Sequence, residues 1–294
     1  MMPTTAVITD STADLKPDQA AAAGIRVAPL IVTFGTEAFQ VGVDLTTQQF
    51  WDKLLAPGAP IPSTAAPSPG TFKAMFEQCF ADGADAIVCC LIGAELSGTV
   101  GSATVAASML PDREIHIVDT RSTSMSTGLP ALMAAELAAA GVPAAEIAER
   151  VRARLPDVDL YVAVDGLAYL RKGGRLSAAQ SVVGNILSVK PIITVRDGQV
   201  LMAERQRSRA KARARVIELI AAHPVERLAI VHTPTSTADE VQAFRDTLVA
   251  ALPGLDPSAI TVGLLGASTG PHLGPDLMGA CFLAKPGAHE HATA

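Results

Sequence analysis

Three short segments carry side chains suited to holding an anion. Pro62-Ser63-Thr64-Ala65-Ala66-Pro67-Ser68-Pro69 places hydroxyls just before a helix start. Glu95-Leu96-Ser97-Gly98-Thr99 places one between an apolar run and a helix, and Gly270-Pro271-His272-Leu273-Gly274-Pro275 sets one imidazole between two Gly-Pro steps. Hydroxyls and backbone N–H groups at a helix N-terminus bind an anion without a full positive charge. Gly98 would let a ligand approach the backbone. An imidazole beside an anion donates a hydrogen bond, and an ionised anion favours its charged form. Ser68 and Ser97 are also natural helix caps, and a lone histidine is more often structural. The residue types alone leave both readings open. Neutral or weakly basic donors suit a carboxylate or a single phosphoryl group, not a triphosphate. Neither G-x-x-x-x-G-K-[ST] nor G-x-G-x-x-G occurs, so the chain shows no nucleotide motif.

Two further patterns invite chemistry. Gly266-Ala267-Ser268-Thr269-Gly270 matches the serine-hydrolase pattern G-x-S-x-G. In an α/β-hydrolase the acid and histidine follow the serine on later strands. Too little chain follows Gly270 for that, so a serine hydrolase using Ser268 is the weaker alternative. Arg205, Arg207, Arg209, Lys211, Arg213 and Arg215 alternate through a segment expected to pass from strand to helix near Ser208. On the helix, Arg209 with Arg213 and Lys211 with Arg215 form i,i+4 rows. No aromatic residues interleave to stack bases. A solvated basic face or a docking face for an acidic partner remains.

Composition narrows the class. The net charge of −6 argues against a general nucleic-acid binder. The chain is 49% hydrophobic but only 4% aromatic, an ordinary globular make-up. Cys79, Cys89, Cys90 and Cys281 show no metal-type spacing. They are expected to be buried, reduced thiols of a cytoplasmic protein, with no metal and no cofactor. The chain begins directly with a strand-like segment, without a secretory pattern. No uninterrupted apolar run is long enough to span a membrane. Any lipid would have to be held within or on the protein.

The elements that must position these loops alternate in the first half. AVIT, AIVCCLIG and EIHIVD read as strands, the second buried, with Cys89 and Cys90 on opposite faces. IRVAPLIVTF and EAFQVGV read as a hairpin about Gly35-Thr36. Thr46-x-x-Gln49 predicts a capping box for the helix containing Trp51, and Ser68-Pro69 opens another helix. This β-α alternation predicts a parallel sheet with helices on both faces. Near Pro156 the style changes to strands with a tight Asp197-Gly198 hairpin. The expected fold is α/β in two domains. A Rossmann-like parallel-sheet domain spans residues 1–156, and a smaller α+β domain spans 157–286, followed by a frayed tail at 287–294.

One stretch is too particular for composition alone. Leu167 to Val200 runs a Gly-Gly turn flanked by basic residues into a small-residue helix, a Lys-Pro step, a β-branched strand and the Asp-Gly hairpin. With ITDSTADL at 8–15, Ser63–Pro69, Leu96–Thr99, VDTRSTSMSTG at 118–128 and GPHLGP at 270–275, it closely resembles the DegV family across nearly the whole chain. The resemblance implies two α/β-type domains with a long-chain fatty acid, such as palmitate, in a tunnel between them. It implies a carboxylate held by Thr64, Ser97 and His272, and a non-enzymatic lipid-binding protein that presents the acid to a separate kinase for acyl-phosphate formation. Independently of the resemblance, the basic row is read as a docking face for an acidic partner that includes Arg209, with Arg207 nearest the carboxylate mouth and Arg175 of the Gly-Gly loop assisting or gating the tunnel. Alternatives are a lipid carrier or sensor without a kinase, or a binder of another carboxylate or phosphate. The chain departs from the family pattern at Ala65, Ala66, Ser126, Leu187-Ser188-Val189 and Pro271. These departures touch acyl-chain preference and partner identity, not the three contacts.

Overall fold

The computed structural model describes residues 4–176 and 189–287. The small-residue helix expected after the Gly-Gly turn and the expected HEHATA tail lie outside the described residues.

The first half is built on a parallel four-stranded sheet. Its strands are β1 (Thr5–Asp10), β2 (Ile25–Ala28), β6 (Ala86–Leu91) and β7 (Glu114–Asp119), in the order β2-β1-β6-β7. Every residue of β6 is buried, as a central strand covered on both faces requires. Its alternation separates the adjacent thiols. Cys89 packs with Phe72, Phe76 and Ala103, and Cys90 with Ala131 and Ile147. Those partners lie on helices of opposite faces: α3 (Pro69–Ala81) and α4 (Thr99–Ser108) on one, α5 (Met125–Ala139) and α6 (Ala144–Arg154) on the other. A short α1 (Pro17–Ala22) joins β1 to β2.

IRVAPLIVTF is not one strand. Pro29 has no N–H to give a ladder, and the Leu30 N–H donates to Ser11 Oγ at 2.9 Å. The chain therefore leaves the parallel sheet after β2. It begins a second, antiparallel sheet of β3 (Ile31–Phe34), β4 (Glu37–Gln40) and β5 (Ser63–Ala65), in the order β4-β3-β5. Gly35, left-handed at φ +60°, makes the β3–β4 turn. Thr64 lies opposite Val32 in this small sheet, so part of the expected loop is a strand. The predicted capping box of α2 (Thr47–Leu55) is present at Thr46 and Gln49, and Ser68 caps α3.

The second half forms a mixed six-stranded sheet. It contains β8 (Val158–Val164), β9 (Lys190–Arg196), β10 (Gln199–Gln206), β11 (Val225–His232), β12 (Ile260–Leu264) and β13 (Leu277–Ala284), in the order β10-β9-β8-β13-β11-β12. Among the described strands of this sheet, the β11–β12 pair is parallel and the other pairs are antiparallel. Asp197 (φ 53°) and Gly198 (φ 75°) form the tight β9–β10 turn, the left-handed pair that suits strand twist. One face of the sheet is covered by α8 (Arg209–Ala221) and α9 (Ala238–Ala251). Residues of the other face, including Leu160, Val162, Ile193 and Val231, join a core with Phe50, Trp51, Ile92 and Met125 of the first half. Two short helices complete this side: α7 (Ala168–Lys172) and α10 (Gly270–Leu273). The Gly270–Pro275 segment expected as a stiff loop is thus largely one helical turn.

Candidate functional site

A cavity with about 890 Å³ of space free of protein atoms, its mouth included, lies between the two halves. Its walls are mainly apolar, with Leu30, Leu160, Val162, Ile193, Val231 and Leu277 drawn from both. Thr64, Ser97 and His272 all line it, and so does Arg175. The three candidate anion donors, far apart in sequence, face one space.

His272 is the centre of this polar group. It stands on α10 with Nε2 2.9 Å from Thr64 Oγ1. Gly173 closes on the other ring nitrogen, for a Cβ at 173 would lie 2.3 Å from Nδ1. Nδ1 is buried with no hydrogen-bond partner among the described residues. Burial, reinforced by the Arg175 charge, lowers the His272 pKa to about 4, so the ring is neutral near pH 7. Gly270, which begins the turn, has no room for a side chain either: a Cβ would meet the Phe50 ring at 2.5 Å. The neighbouring Trp51 Nε1 donates to Leu265 O at 2.8 Å, so α2 buttresses the approach to α10.

Ser97 is not the cap of α4. The N-cap position is Gly98, which makes no side-chain cap bond, and Ser97 Oγ lies 2.8 Å from Thr99 Oγ1. Its loop is held from two sides. Arg175 Nε donates to Leu96 O at 3.3 Å. The Asp197-Gly198 turn seats beside it, with Gly198 N donating to Arg121 O at 3.0 Å and Gly93 N to Ser122 O at 2.8 Å. Ser97 therefore sits at the carboxyl end of a parallel strand, where open α/β sheets bind ligands. Ser68, by contrast, is exposed and occupied in capping Thr71 N at 3.1 Å.

Residues 4–285 match the family model described as "Uncharacterised protein, DegV family". The chain belongs to the DegV family. A DegV domain-containing protein of Deinococcus radiodurans is 35% identical over 281 residues, covering 94% of this chain and 97% of that one. Protein DegV of Bacillus subtilis is 30% identical over 285 residues, covering 95% and 99%. Among solved structures, a DegV family protein from Thermus thermophilus described for its fatty-acid binding aligns with a TM-score of 0.85 at 30% identity, over 96% of this chain and 100% of that one. The α/β fold with its separate mixed sheet is the fold of these DegV structures.

The remaining site expectations divide. Arg175 belongs to the cavity wall, whereas Arg207 and Arg209 are not among its lining residues. Arg209 is engaged by Asp165 at 3.0 Å and Asp276 at 2.9 Å. Arg213 pairs with Glu240, and Arg215 with Glu204 and Glu218, so much of the basic row is neutralised within the fold. Arg207 is exposed. Ser268 Oγ lies 2.7 Å from Ser11 Oγ, and no histidine among the described residues is bonded to it. A serine nucleophile needs an adjacent base, and this hydroxyl meets another hydroxyl instead. All four cysteines are buried and free, and Cys281 lines the cavity. Pro271, one of the departures from the family pattern, stands in the first turn of α10, where a missing N–H costs nothing. Among the described residues no helix is long and apolar enough to cross a membrane, and no group of three His, Cys, Asp or Glu is placed to hold a metal.

Proposed function

We propose that this DegV protein binds a long-chain fatty acid such as palmitate in the cavity between its halves. The carboxylate is held by Thr64, Ser97 and His272, and Arg175 closes the rim. The observation that carries the reading is the half-buried Thr64–His272 pair facing a mainly apolar cavity. Burial of an acyl chain contributes about 0.8 kcal/mol per methylene, on the order of 12 kcal/mol gross for ~15 methylenes, more than association costs of several kcal/mol. Affinity then comes from the walls, and orientation from the donors. The fatty-acid binding of the Thermus thermophilus and Bacillus subtilis relatives supports the same ligand class.

A separate kinase would act on the presented carboxylate, because this chain carries no nucleotide motif of its own. The docking face would comprise Arg207 with Arg175 and Arg209. The reading places the protein in the cytoplasm, where its free thiols stay reduced. Native mass spectrometry of freshly purified protein, followed by extraction, tests the ligand. A co-purifying acyl species is expected. Its absence, together with no uptake of palmitate by the stripped protein, would sink the reading.

A further inference from the structure

The first motif of the chain, ITDSTADL, contributes two acids that the head-group site does not use, Asp10 buried and Asp14 half-buried. Asp10 serves its own turn: its carboxylate accepts Thr12 N at 2.9 Å and Ile92 N at 2.8 Å, tying the end of β1 to the end of β6. Asp14 is different. It is a non-glycine residue at φ +53°, and its partners are remote in sequence. Ser124 Oγ donates to Oδ2 at 2.6 Å and Gly266 N donates to Oδ1 at 3.1 Å. Thr269 Oγ1 lies 3.3 Å from Oδ2.

Each partner belongs to the site's scaffold. Ser124 and Thr269 line the cavity, while Asp14 does not. Gly266 is held so closely that a Cβ there would lie 2.2 Å from Asp14 Oδ1. From Gly266 the chain turns directly into α10: Gly266 O accepts Gly270 N at 2.9 Å, and Thr269 O accepts His272 N at 3.0 Å. The Asp14 carboxylate thus grips the base of the turn from which the imidazole projects.

We propose that Asp14 is a positioning residue for the head-group site, clamping the Gly266–Thr269 turn to the Ser124 loop so that His272 meets Thr64. The proposal rests on the fatty-acid reading above. It acts on the carboxylate end alone, because Asp14 makes no part of the cavity wall.

The test is the affinity of stripped protein for palmitate and for methyl palmitate, in the wild type and in Asp14→Asn. Asparagine tolerates the left-handed backbone, but it offers one acceptor oxygen where the carboxylate offers two, so Gly266 N and the Ser124 and Thr269 hydroxyls can no longer all donate to it. The expected result is a loss of about tenfold for palmitate, the size of one misplaced hydrogen bond to a charged group, with methyl palmitate unchanged within about twofold. Equal losses for both ligands, or an unchanged acid-to-ester ratio, would overturn the proposal. A wild type that does not distinguish acid from ester sinks the head-group reading itself, a separate and visible failure. If Asp14→Asn does not fold, carboxyl ¹³C titration of wild-type Asp14 decides. The titratable groups near it are Asp10 on β1 and Cys281 on β13, with Lys16 and with His232 of β11 lining the same surface hollow. Palmitate, and not its methyl ester, should shift the Asp14 midpoint, since coupling is reciprocal. No shift on palmitate binding counts against the clamp.

Discussion

Gly173 and His272 are in such close contact that a single methyl group at position 173 would lie 2.3 Å from the imidazole Nδ1. The Gly-Gly turn and the Thr64 hydroxyl therefore engage opposite nitrogens of one ring. The two glycines have different reasons to be glycine. Gly173 is excluded from having a side chain by the ring, whereas Gly174 takes the left-handed backbone at φ +68° with open space around it.

That difference separates two substitutions. Gly173→Ala must push His272 away from Thr64, and palmitate affinity should fall about tenfold, the loss of one charge-assisted hydrogen bond. Gly174→Ala strains the backbone by about 1 kcal/mol and should lower thermal stability while leaving palmitate affinity within about twofold. Calorimetric titration and thermal melts on both variants check this. Equal binding losses would show that the turn matters only as a turn.

His272 should report ligand by its protonation. Burial, then the Arg175 charge, lowers its pKa to about 4. An incoming carboxylate favours the imidazolium, so binding should raise the midpoint and take up a proton. The folded-state pKa lies below the unfolded one, so stability falls as pH drops from about 6.5 to about 4. Ring titration by NMR, with and without palmitate, measures both midpoints. A His272 midpoint that palmitate leaves in place would contradict carboxylate contact.

Much of this fold is legible in the chain, and the part that is not has a physical cause. The apolar run of β6, the Thr46–Gln49 capping box and the Asp197-Gly198 turn are local signals, and each is present. Thr64 reads as a loop residue because its strand exists only through pairing with β3, whose own start depends on Pro29 breaking the preceding strand. The Thr64–His272 pair joins positions 208 residues apart, a distance no periodicity spans; the resemblance to the family brought these positions together, not composition. Gly173 signals a turn and hides its contact with the ring. Asp14 shows nothing of its role until Ser124 and Gly266 arrive from elsewhere in the chain.

Asp14 predicts an unusual pH dependence. Burial raises its pKa to about 7, against the pull of Ser124, Thr269 and Gly266 as donors. The folded state therefore holds a proton that the unfolded chain releases near pH 4. This contribution is fully present below the unfolded pKa and is lost as pH rises through about 7. The stability of wild type minus that of Asp14→Asn should fall by about 2 kcal/mol between roughly pH 5.5 and 8. Urea unfolding of both proteins at the two pH values measures it. A flat difference would mean that the donors, rather than burial, set the ionisation.

The basic row calls for a controlled pair of charge reversals. Arg209 bridges Asp165 and Asp276, and Lys190 also reaches Asp165, at 2.5 Å. Arg209→Glu would place a third acid among two and should destabilise the fold by about 1 kcal/mol, the scale of partly exposed pairs. Arg207 is exposed with no partner among the described residues, so Arg207→Glu should leave the melting curve unchanged. A loss of kinase-dependent acyl phosphorylation in Arg209→Glu would be ambiguous, because the fold itself is weakened. The same loss in Arg207→Glu, with palmitate binding and melting temperature intact, can come only from docking. Phosphorylation of bound palmitate by a partner kinase, measured for both variants beside their melts, makes the distinction. Undiminished phosphorylation in Arg207→Glu would remove this face from the proposed docking surface.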